Sequence, residues 1–170
     1  SRGLGDVYKR QAIERVQKRT DALLNCGGTH RPEWFHRKLG DILYEGCGVA
    51  RDEAGLLDAL TKVRELREEF WRDVKVVGTG NRLNQELEKA GRVADFIELG
   101  EVMILDALDR RESAGAHFRN EYATEAGEAK RNDGDWCAVS AWETRPDGTK
   151  VRHSEPLSFS LIDLQVRDYR

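Results

Sequence analysis

Apolar residues recur at three- and four-residue intervals through most of the first 110 positions, with charged residues between them. The stretch 84–111 predicts a helix with more apolar positions than one face needs, so we expect it to be the central helix, with Gly91 marking a break. Asp52 precedes another run and is a good N-cap. That run predicts a helix with one face packed inward, on the stripe Leu56, Leu60, Val63, Leu66, Phe70 and Val74.

Two further helices are predicted earlier in the chain. Pro32 suits the first turn of a helix that should stop at Gly46, because a missing N–H is no loss there. The stretch 12–25 predicts the other helix, on the loosely spaced apolar positions Ile13, Val16, Leu23 and Leu24.

The pattern changes to loop and strand after residue 117. The run 136–142 is typical of a β-strand, 145–149 carries the proline and glycine of a turn, and 151–153 with 157–164 would complete a hairpin or small meander. Three short strands are marginal alone, so they must dock on the helices or on a partner. The predicted fold is mainly α: a three- to four-helix antiparallel bundle followed by a small antiparallel β appendage.

The composition limits the classes of protein to which the chain can belong. Hydrophobic residues at 39% and charged residues at 35% predict a thin core with one face leaning on a neighbour. The 28 basic and 31 acidic residues are interleaved, which argues against a nucleic-acid or anionic-membrane surface. Cys26, Cys47 and Cys137 are too scattered for a disulfide framework, and no apolar run approaches the ~20 residues that span a bilayer.

Side chains of the metal-binding type are scattered. His30, His36, His117 and Glu45 could gather as ligands, but no two histidines have the spacing of a zinc motif. The stretch 78–80 has the first two glycines of a dinucleotide-binding fingerprint without the third, so we interpret it as a connector.

The remaining candidates for catalysis also favour structural interpretations. Ser113 and His117 could pair as nucleophile and base, but no acidic residue at a fixed spacing would orient them. The pairs Glu68–Glu69 and Glu98–Glu101 fit solvated helix faces. Four tryptophans are interpreted as packing anchors: Trp34, Trp71, Trp136 and Trp142. We expect no catalytic, cofactor-binding or metal-binding residue in this chain.

One octet divides the helical part from the rest: Arg110-Arg111-Glu112-Ser113-Ala114-Gly115-Ala116-His117. Two arginines would stand in the last turn of the long helix, where the dipole favours cations, and Gly115 would end it in a left-handed conformation. The residues that we assign to this structural motif are Arg111, Glu112, Ser113, Gly115 and His117.

The octet resembles the C-terminal region of the flavoprotein subunit of succinate dehydrogenase and fumarate reductase. Where many members of that superfamily carry arginine, this chain has Ala114, which suggests a particular branch. Further stretches that resemble the same subunit, in the same order, are 34–40, 46–51, 66–71, 121–128 and 167–169.

The resemblance implies a C-terminal helical domain over 12–117 and a loop and short-strand tail over 118–170. The parent would bind FAD and interconvert succinate and fumarate, and this piece alone would be silent and bind no cofactor. Its partners would be the flavin-binding domain of the same subunit, an iron–sulfur subunit and, through the complex, a membrane anchor. The parent would lie peripherally on the cytoplasmic face of the inner membrane.

Two alternatives stay open at this point. L-aspartate oxidase shares a motif of this type and a helical C-terminal domain, and a free-standing helical adaptor would need no catalysis. We expect residues 1–11 to be adapter-derived, because 6–11 match one reading frame of a transposase end sequence, and the natural protein then extends upstream.

Overall fold

The computed structural model describes residues 2–162, 164 and 165. Arg167, Asp168 and Tyr169, which fit the resemblance, lie outside these residues. A 3₁₀ turn covers Asn120–Tyr122. The other elements are, in chain order, α1 (Arg2–Asn25), α2 (Pro32–Gly46), β1 (Ala50–Arg51), α3 (Glu53–Asp73), α4 (Gln85–Asp109), β2 (Phe118–Arg119), α5 (Asp133–Trp136), β3 (Ala138–Thr144) and β4 (Lys150–Pro156).

α2, α3 and α4 begin at residues that suit the start of a helix. Pro32 stands at the start of α2, the Asp52 carboxylate accepts from Gly55 N at 2.7 Å, and the Asn84 side chain accepts from Leu87 N at 3.1 Å. Each cap satisfies a backbone N–H that has no partner inside its helix. α2, α3 and α4 pack on one another, and α1 packs on α4. This confirms the predicted bundle with α4 at its centre.

The core lies between α2, α3 and α4. Phe35 and Phe70 are fully buried and meet edge to face, with ring centroids 5.2 Å apart. Burying each such side chain contributes about 1.5–3 kcal/mol. Gly46 permits the close crossing of α2 over α3, because a Cβ there would lie 2.6 Å from the Ala59 Cβ.

Two helices differ in length from the prediction. α4 passes through Gly91 without a break and ends at Asp109, two residues before the predicted end. α1 already begins at Arg2, and its side chains from Gly5 to Arg19 are all exposed. The origin of residues 1–11 stays a prediction. None of the described helices is long and apolar enough to cross a membrane.

The appendage is a hairpin of β3 and β4, in which Trp142 pairs with Arg152. Trp136 belongs to α5 instead of the strand, so the predicted start of the first strand was wrong. The predicted strand over 157–164 was also wrong: its described residues lie in no strand, and residue 163 lies outside the described part. Leu157 N still donates to Cys137 O at 2.9 Å, but β3 begins only at Ala138, so the chain beyond Leu157 has no strand opposite it. The short parallel pair of β1 and β2 was not predicted.

The hairpin docks on one side of α4 through three polar contacts, which we call the hairpin seat. Trp142 Nε1 donates to Asp106 at 2.8 Å, Arg152 pairs with Asp109 at 2.6 Å, and the Lys150 ammonium lies 2.9 Å from a Glu98 oxygen. Clefts of about 490 and 540 Å³ flank Trp142. The strands therefore dock on the bundle as expected, but through polar contacts and not through a shared core.

Candidate functional site

The octet lies in a chain reversal that follows α4; we call residues 110–121 the motif segment. The N–H of Arg110 still reaches Asp106 O at 3.0 Å, but its own ψ of 99° is extended and ends the helix. Arg110 and Arg111 therefore lie beyond the last turn of α4, and the predicted placement of both within that turn was wrong. Arg111 is exposed and lines the 540 Å³ cleft.

Glu112 is a buried carboxylate whose two oxygens both have partners. One oxygen accepts from Arg110 Nε at 2.8 Å and pairs with the same guanidinium at 2.6 Å. The other accepts from Asn132 N at 2.8 Å. Because the side chain is only 2% exposed, these bonds replace the hydration that the charge loses on burial. Glu112 thus ties the end of α4 to the loop before α5.

Ser113 holds the two arms of the reversal together. Its N–H donates to Lys130 O at 2.9 Å, its hydroxyl donates to Arg119 O at 3.1 Å, and the same oxygen accepts from Arg119 N at 2.8 Å. Between the arms, Ala114 and His117 exchange backbone hydrogen bonds of 2.8 and 3.1 Å. Gly115 has a φ of +59° at the first central position of this tight turn. It therefore serves a hairpin turn and not the end of the helix.

The contacts of His117 define its protonation state. Arg51 approaches Nδ1 at 3.1 Å, and a guanidinium can only donate, so Nδ1 must be an unprotonated acceptor. Nε2 then carries the proton and donates to Arg110 O at 3.1 Å. Burial lowers the pKa of His117, the bond to the Arg110 carbonyl opposes this, and the charges of Arg51, Arg110 and Arg119 lower it further, with a net lowering. The ring is neutral and joins β1 to the motif segment.

Arg119 supplies the cation at the end of α4, a role that the sequence analysis had assigned to Arg110 and Arg111. It is 2% exposed, and its guanidinium donates to Ala107 O at 2.8 Å and Leu108 O at 3.3 Å. These carbonyls belong to the last turn of α4, so the charge offsets the helix dipole directly. The signal was present as a third arginine near the motif, but nothing local showed that the chain would turn back.

Glu121 continues this connection to α3. It accepts from Arg119 Nε at 3.1 Å and from Glu53 N at 2.5 Å, at the first turn of α3. Burial would raise the pKa of Glu121, but the bonds from Arg119 and the Glu53 N–H outweigh it and lower the pKa. The motif segment therefore joins the C-terminus of α4 to the N-terminus of α3.

The arrangement offers little for catalysis. Ser113 and His117 lie in the same turn, but both hydroxyl contacts of Ser113 go to Arg119 and neither goes to the imidazole. His30 lies against Asp73 and His36 stacks on Phe96, so the histidines do not meet. Among the described residues no group of His, Cys, Asp and Glu could hold a metal ion.

Comparison with known proteins identifies the chain. The family model described as "Fumarate reductase flavoprotein C-term" matches residues 36–169, which include the whole motif segment. The chain belongs to this family. The turn in this chain does not depend on the side chain at position 114, because both bonds of Ala114 to His117 are made by its backbone.

The relatives are flavoprotein subunits of two enzymes, succinate dehydrogenase and fumarate reductase. The chain is 25% identical over 158 residues to the succinate dehydrogenase flavoprotein subunit of Bacillus subtilis, covering 92% of this chain and 26% of that protein. It is 31% identical over 104 residues to the fumarate reductase flavoprotein subunit of Escherichia coli, covering 61% and 17%. The chain thus spans about a quarter or less of the length of these relatives. They do not favour the L-aspartate oxidase alternative.

Solved structures share the fold. A quinol–fumarate reductase with menaquinol molecules matches 91% of this chain and 26% of its own, with a TM-score of 0.76 and 24% identity. Adenylylsulfate reductase from Archaeoglobus fulgidus matches 92% and 26%, with a TM-score of 0.67 and 17% identity. The helical fold is therefore common to flavoproteins and to an enzyme with a different named substrate.

The glycines at 78–80 do not form a dinucleotide-binding loop. Residues 78–80 lie in the loop between α3 and α4, whereas a phosphate-binding glycine loop connects a strand to a helix. The side chain of Asn84 fills the space beside Gly78, where a Cβ would lie 2.8 Å from its amide nitrogen. The Asn84 amide donates to Val77 O at 2.9 Å and to Thr79 O at 3.2 Å, so the loop folds around a side chain of the chain itself.

One buried carboxylate outside the motif was missed from the sequence. Glu101 is 3% exposed and lies between Arg64 at 2.7 Å and Arg67 at 2.5 Å. Burial would raise the pKa of Glu101, but the two guanidinium groups outweigh it and lower the pKa. The interpretation of Glu98–Glu101 as a solvated pair was wrong for this residue, because packing of α3 on α4 covers it.

Proposed function

We propose that this chain is the C-terminal helical domain, with its tail, of a succinate dehydrogenase or fumarate reductase flavoprotein subunit. The helical domain would span 12–117 and the tail 118–170. The observation that carries the proposal is the family match over 36–169, which contains the complete motif segment. The parent would interconvert succinate and fumarate with FAD as its cofactor.

The partners of the parent follow from the same proposal. The flavin-binding domain of the same subunit would contact this domain, and electrons would pass to an iron–sulfur subunit and then to a membrane anchor. The parent would lie peripherally on the cytoplasmic face of the cell membrane. The naming of solved relatives as quinol–fumarate reductase supports an assembly of this kind.

The role of this chain in the parent is structural. Arg111, Glu112, Ser113, Gly115 and His117 belong to the segment that joins the ends of α3 and α4, where hydrogen bonds occupy the buried members. Side chains whose hydrogen-bonding groups all have partners within the chain position helices, whereas a catalytic group needs a free donor or acceptor toward the substrate. The domain would therefore present rigid surfaces to the rest of the subunit.

The experiment is to recover the upstream reading frame and express the complete subunit beside the present chain. We expect flavin in the complete subunit, together with dye-linked oxidation of succinate, and neither in the chain alone. Flavin or succinate oxidation in the chain alone would contradict the proposal, as would an upstream frame that encodes no flavin-binding domain. A start codon with a ribosome-binding signal just before Ala12 would favour the helical adaptor instead.

A further inference from the structure

Arg111 is a residue of the predicted motif for which the chain reversal has no use. Glu112, Ser113 and His117 bond to other parts of the chain. Within the part of the chain that the structure describes, the guanidinium of Arg111 has no hydrogen bond or ion pair, and its side chain is exposed. It lines the cleft of about 540 Å³ at the hairpin, which we call the hairpin cleft. A cation that stabilises nothing in its own chain is available to a ligand.

Two further cations line the hairpin cleft. Arg64 on α3 donates through Nε to Glu101, and its two terminal nitrogens have no partner among the described residues. Lys150 on β4 is only 8% exposed and bonds to Glu98 and to the Thr144 hydroxyl, at 2.9 Å each. A lysine ammonium has three N–H donors, so these two bonds leave one of them over. The bundle, the motif segment and the hairpin thus each bring a cation to one cleft.

The charges around the hairpin cleft do not cancel. Each carboxylate there already pairs with a cation of the chain, as Glu101 does with Arg64 and Arg67. The surroundings have two more positive than negative charges, because five cations meet three carboxylates: Arg64, Arg67, Arg111, Lys150 and Arg152 against Glu98, Glu101 and Asp109. A recess with such a surplus attracts an anion.

Part of the lining of the hairpin cleft is apolar. Leu105 and Leu108 of α4 are half-buried and line it together with Trp142. The indole is oriented by the bond from its Nε1 to Asp106 at 2.8 Å. Apolar surface beside guanidinium and ammonium groups fits an anion that has an apolar body, and the volume falls within the range of small-molecule sites. The ligand class is therefore an organic anion.

The second cleft at the hairpin, of about 490 Å³, has a similar volume but no such cation. It is lined by two arginines, Arg51 and Arg110. Arg51 donates to Gly48 O and to the His117 ring. Arg110 contacts Glu112 through two of its nitrogens. Both guanidinium groups are thus engaged within the chain, and this cleft serves as the internal control for the other.

We propose that the hairpin cleft binds a small organic anion, in which an oxyanion group such as phosphate or carboxylate is attached to an apolar body. Arg111, Arg64 and Lys150 would contact the oxyanion, because guanidinium and ammonium groups are the donors that such groups prefer. Leu105, Leu108 and the Trp142 ring would contact the apolar body. The inference stands apart from the proposed function, since all of these groups lie in the described chain and none of them needs a flavin.

An NMR titration of the isotope-labelled chain with phenyl phosphate tests the site. We expect saturable shifts of the backbone amides of Leu108, Gly148 and Thr149, which line the hairpin cleft. The amides of Val139 and Ser140, which line the other cleft, should shift much less. The Kd should be about 1 mM or lower. Shifts of equal size in both clefts would overturn the inference.

Three related probes separate the two halves of the ligand. Benzoate should shift the same amides as phenyl phosphate, because it also joins an oxyanion to an aryl ring. Benzyl alcohol, which has no charge, should bind at least about fivefold more weakly. Inorganic phosphate should also bind at least about fivefold more weakly, because it buries no apolar surface. Phosphate that binds as tightly as phenyl phosphate would indicate an adventitious ion only and would overturn the inference.

A pair of arginine variants tests the role of Arg111. Arg111→Met should raise the Kd for phenyl phosphate at least about fivefold, because the oxyanion loses a bidentate donor. Arg82→Met is the matched control: Arg82 is exposed, lies in the loop before α4 and has no ion pair among the residues described, so its loss changes the net charge equally. It should raise the Kd by less than about twofold, since salt screens distant charges. Equal weakening by both variants would reduce the effect to general charge attraction and overturn the inference.

The complete subunit provides the last comparison. Equilibrium dialysis should show the same difference in phenyl phosphate binding between the wild type and Arg111→Met, whatever the ligand does at other sites of the subunit. The absence of that difference would mean that another part of the subunit covers the cleft, and it would overturn the inference. A complete subunit without flavin overturns the proposed function alone, because the titration of the present chain does not depend on it.

Discussion

The motif segment and the hairpin both attach to α4, but in different ways. In the motif segment, Glu112, Ser113 and Arg119 are at most 2% exposed, and each makes several hydrogen bonds to separate parts of the chain. In the hairpin seat, Arg152 and its partner Asp109 keep 27% and 46% of their side chains exposed, and clefts flank the contact. Lys150 is only 8% exposed, but its partner Glu98 is 47% exposed.

This difference separates two kinds of polar contact. Buried groups that lose a partner retain the full cost of desolvation, so their contacts are part of folding. Exposed ion pairs exchange water for a partner at little net gain, so they orient an element that is already formed. We therefore expect changes in the motif segment to unfold the bundle and changes in the seat to loosen only the hairpin.

The largest effect is expected at Arg119. Arg119→Met should lower the free energy of unfolding by about 3–5 kcal/mol, because it leaves Glu121 and the last carbonyls of α4 without their buried cation. Arg111→Met in the same segment is the control, and it should change stability by about 0.5 kcal/mol or less since Arg111 is exposed. Urea denaturation measures both, and equal losses would contradict the contrast.

A smaller effect is expected at Ser113. Ser113→Ala should cost about 1–3 kcal/mol, because Arg119 N and O would both lose their buried partner. Ser154→Ala, on an exposed position of β4, should be close to neutral. The same denaturation experiment applies. A neutral Ser113→Ala would show that water replaces the hydroxyl and that the reversal is less closed than described.

His117 makes the stability of the motif segment depend on pH. Its folded pKa lies below the usual 6.5, so the unfolded chain binds the extra proton first. The contribution is complete above about pH 6.5 and is lost as the pH falls toward the lowered value. His117→Gln should therefore flatten the urea midpoint between pH 8 and pH 5, whereas His153→Gln on the hairpin should keep the slope. A wild-type midpoint without slope in this range would contradict the lowered pKa of His117.

The smallest effect is expected in the hairpin seat. Asp109→Asn should cost under about 1 kcal/mol overall, because its pair with Arg152 is half exposed. Raising the salt concentration should weaken the wild-type seat in the same direction. Amide hydrogen exchange should report faster opening of β3 and β4 without a change in α3. Global unfolding on this substitution would mean that the hairpin belongs to the core.

Local features of the chain predicted most of the bundle. Asp52 marks a helix start because a short polar side chain is useful where backbone N–H groups lack partners, and the stripe from Leu56 to Phe70 marks a buried face. The prediction of the third strand failed, whereas those of the helices succeeded, because the two elements form their hydrogen bonds differently. A helix bonds within itself, whereas residues 157–162 need a partner strand that alternation alone cannot supply.

The candidate site was predicted by its position and not by its contacts. The sequence marked Glu112, Ser113 and His117, but it assigned the cations at the end of α4 to Arg110 and Arg111. The structure uses Arg119, which reaches Ala107 O twelve positions back. It also places Arg51 on His117 across 66 positions and Glu121 on Glu53 across 68.

By itself, then, the sequence determined where α2, α3 and α4 begin, which face of α3 is buried and which family's motif the chain carries. These properties depend on spacing of a few residues, which every window of the chain contains. Only the tertiary structure decided which arginine closes α4, which glutamate is buried between two guanidinium groups, and which arginines line the clefts at the hairpin. Such contacts depend on the path of the chain between distant residues, and the local spacing of residues does not determine that path.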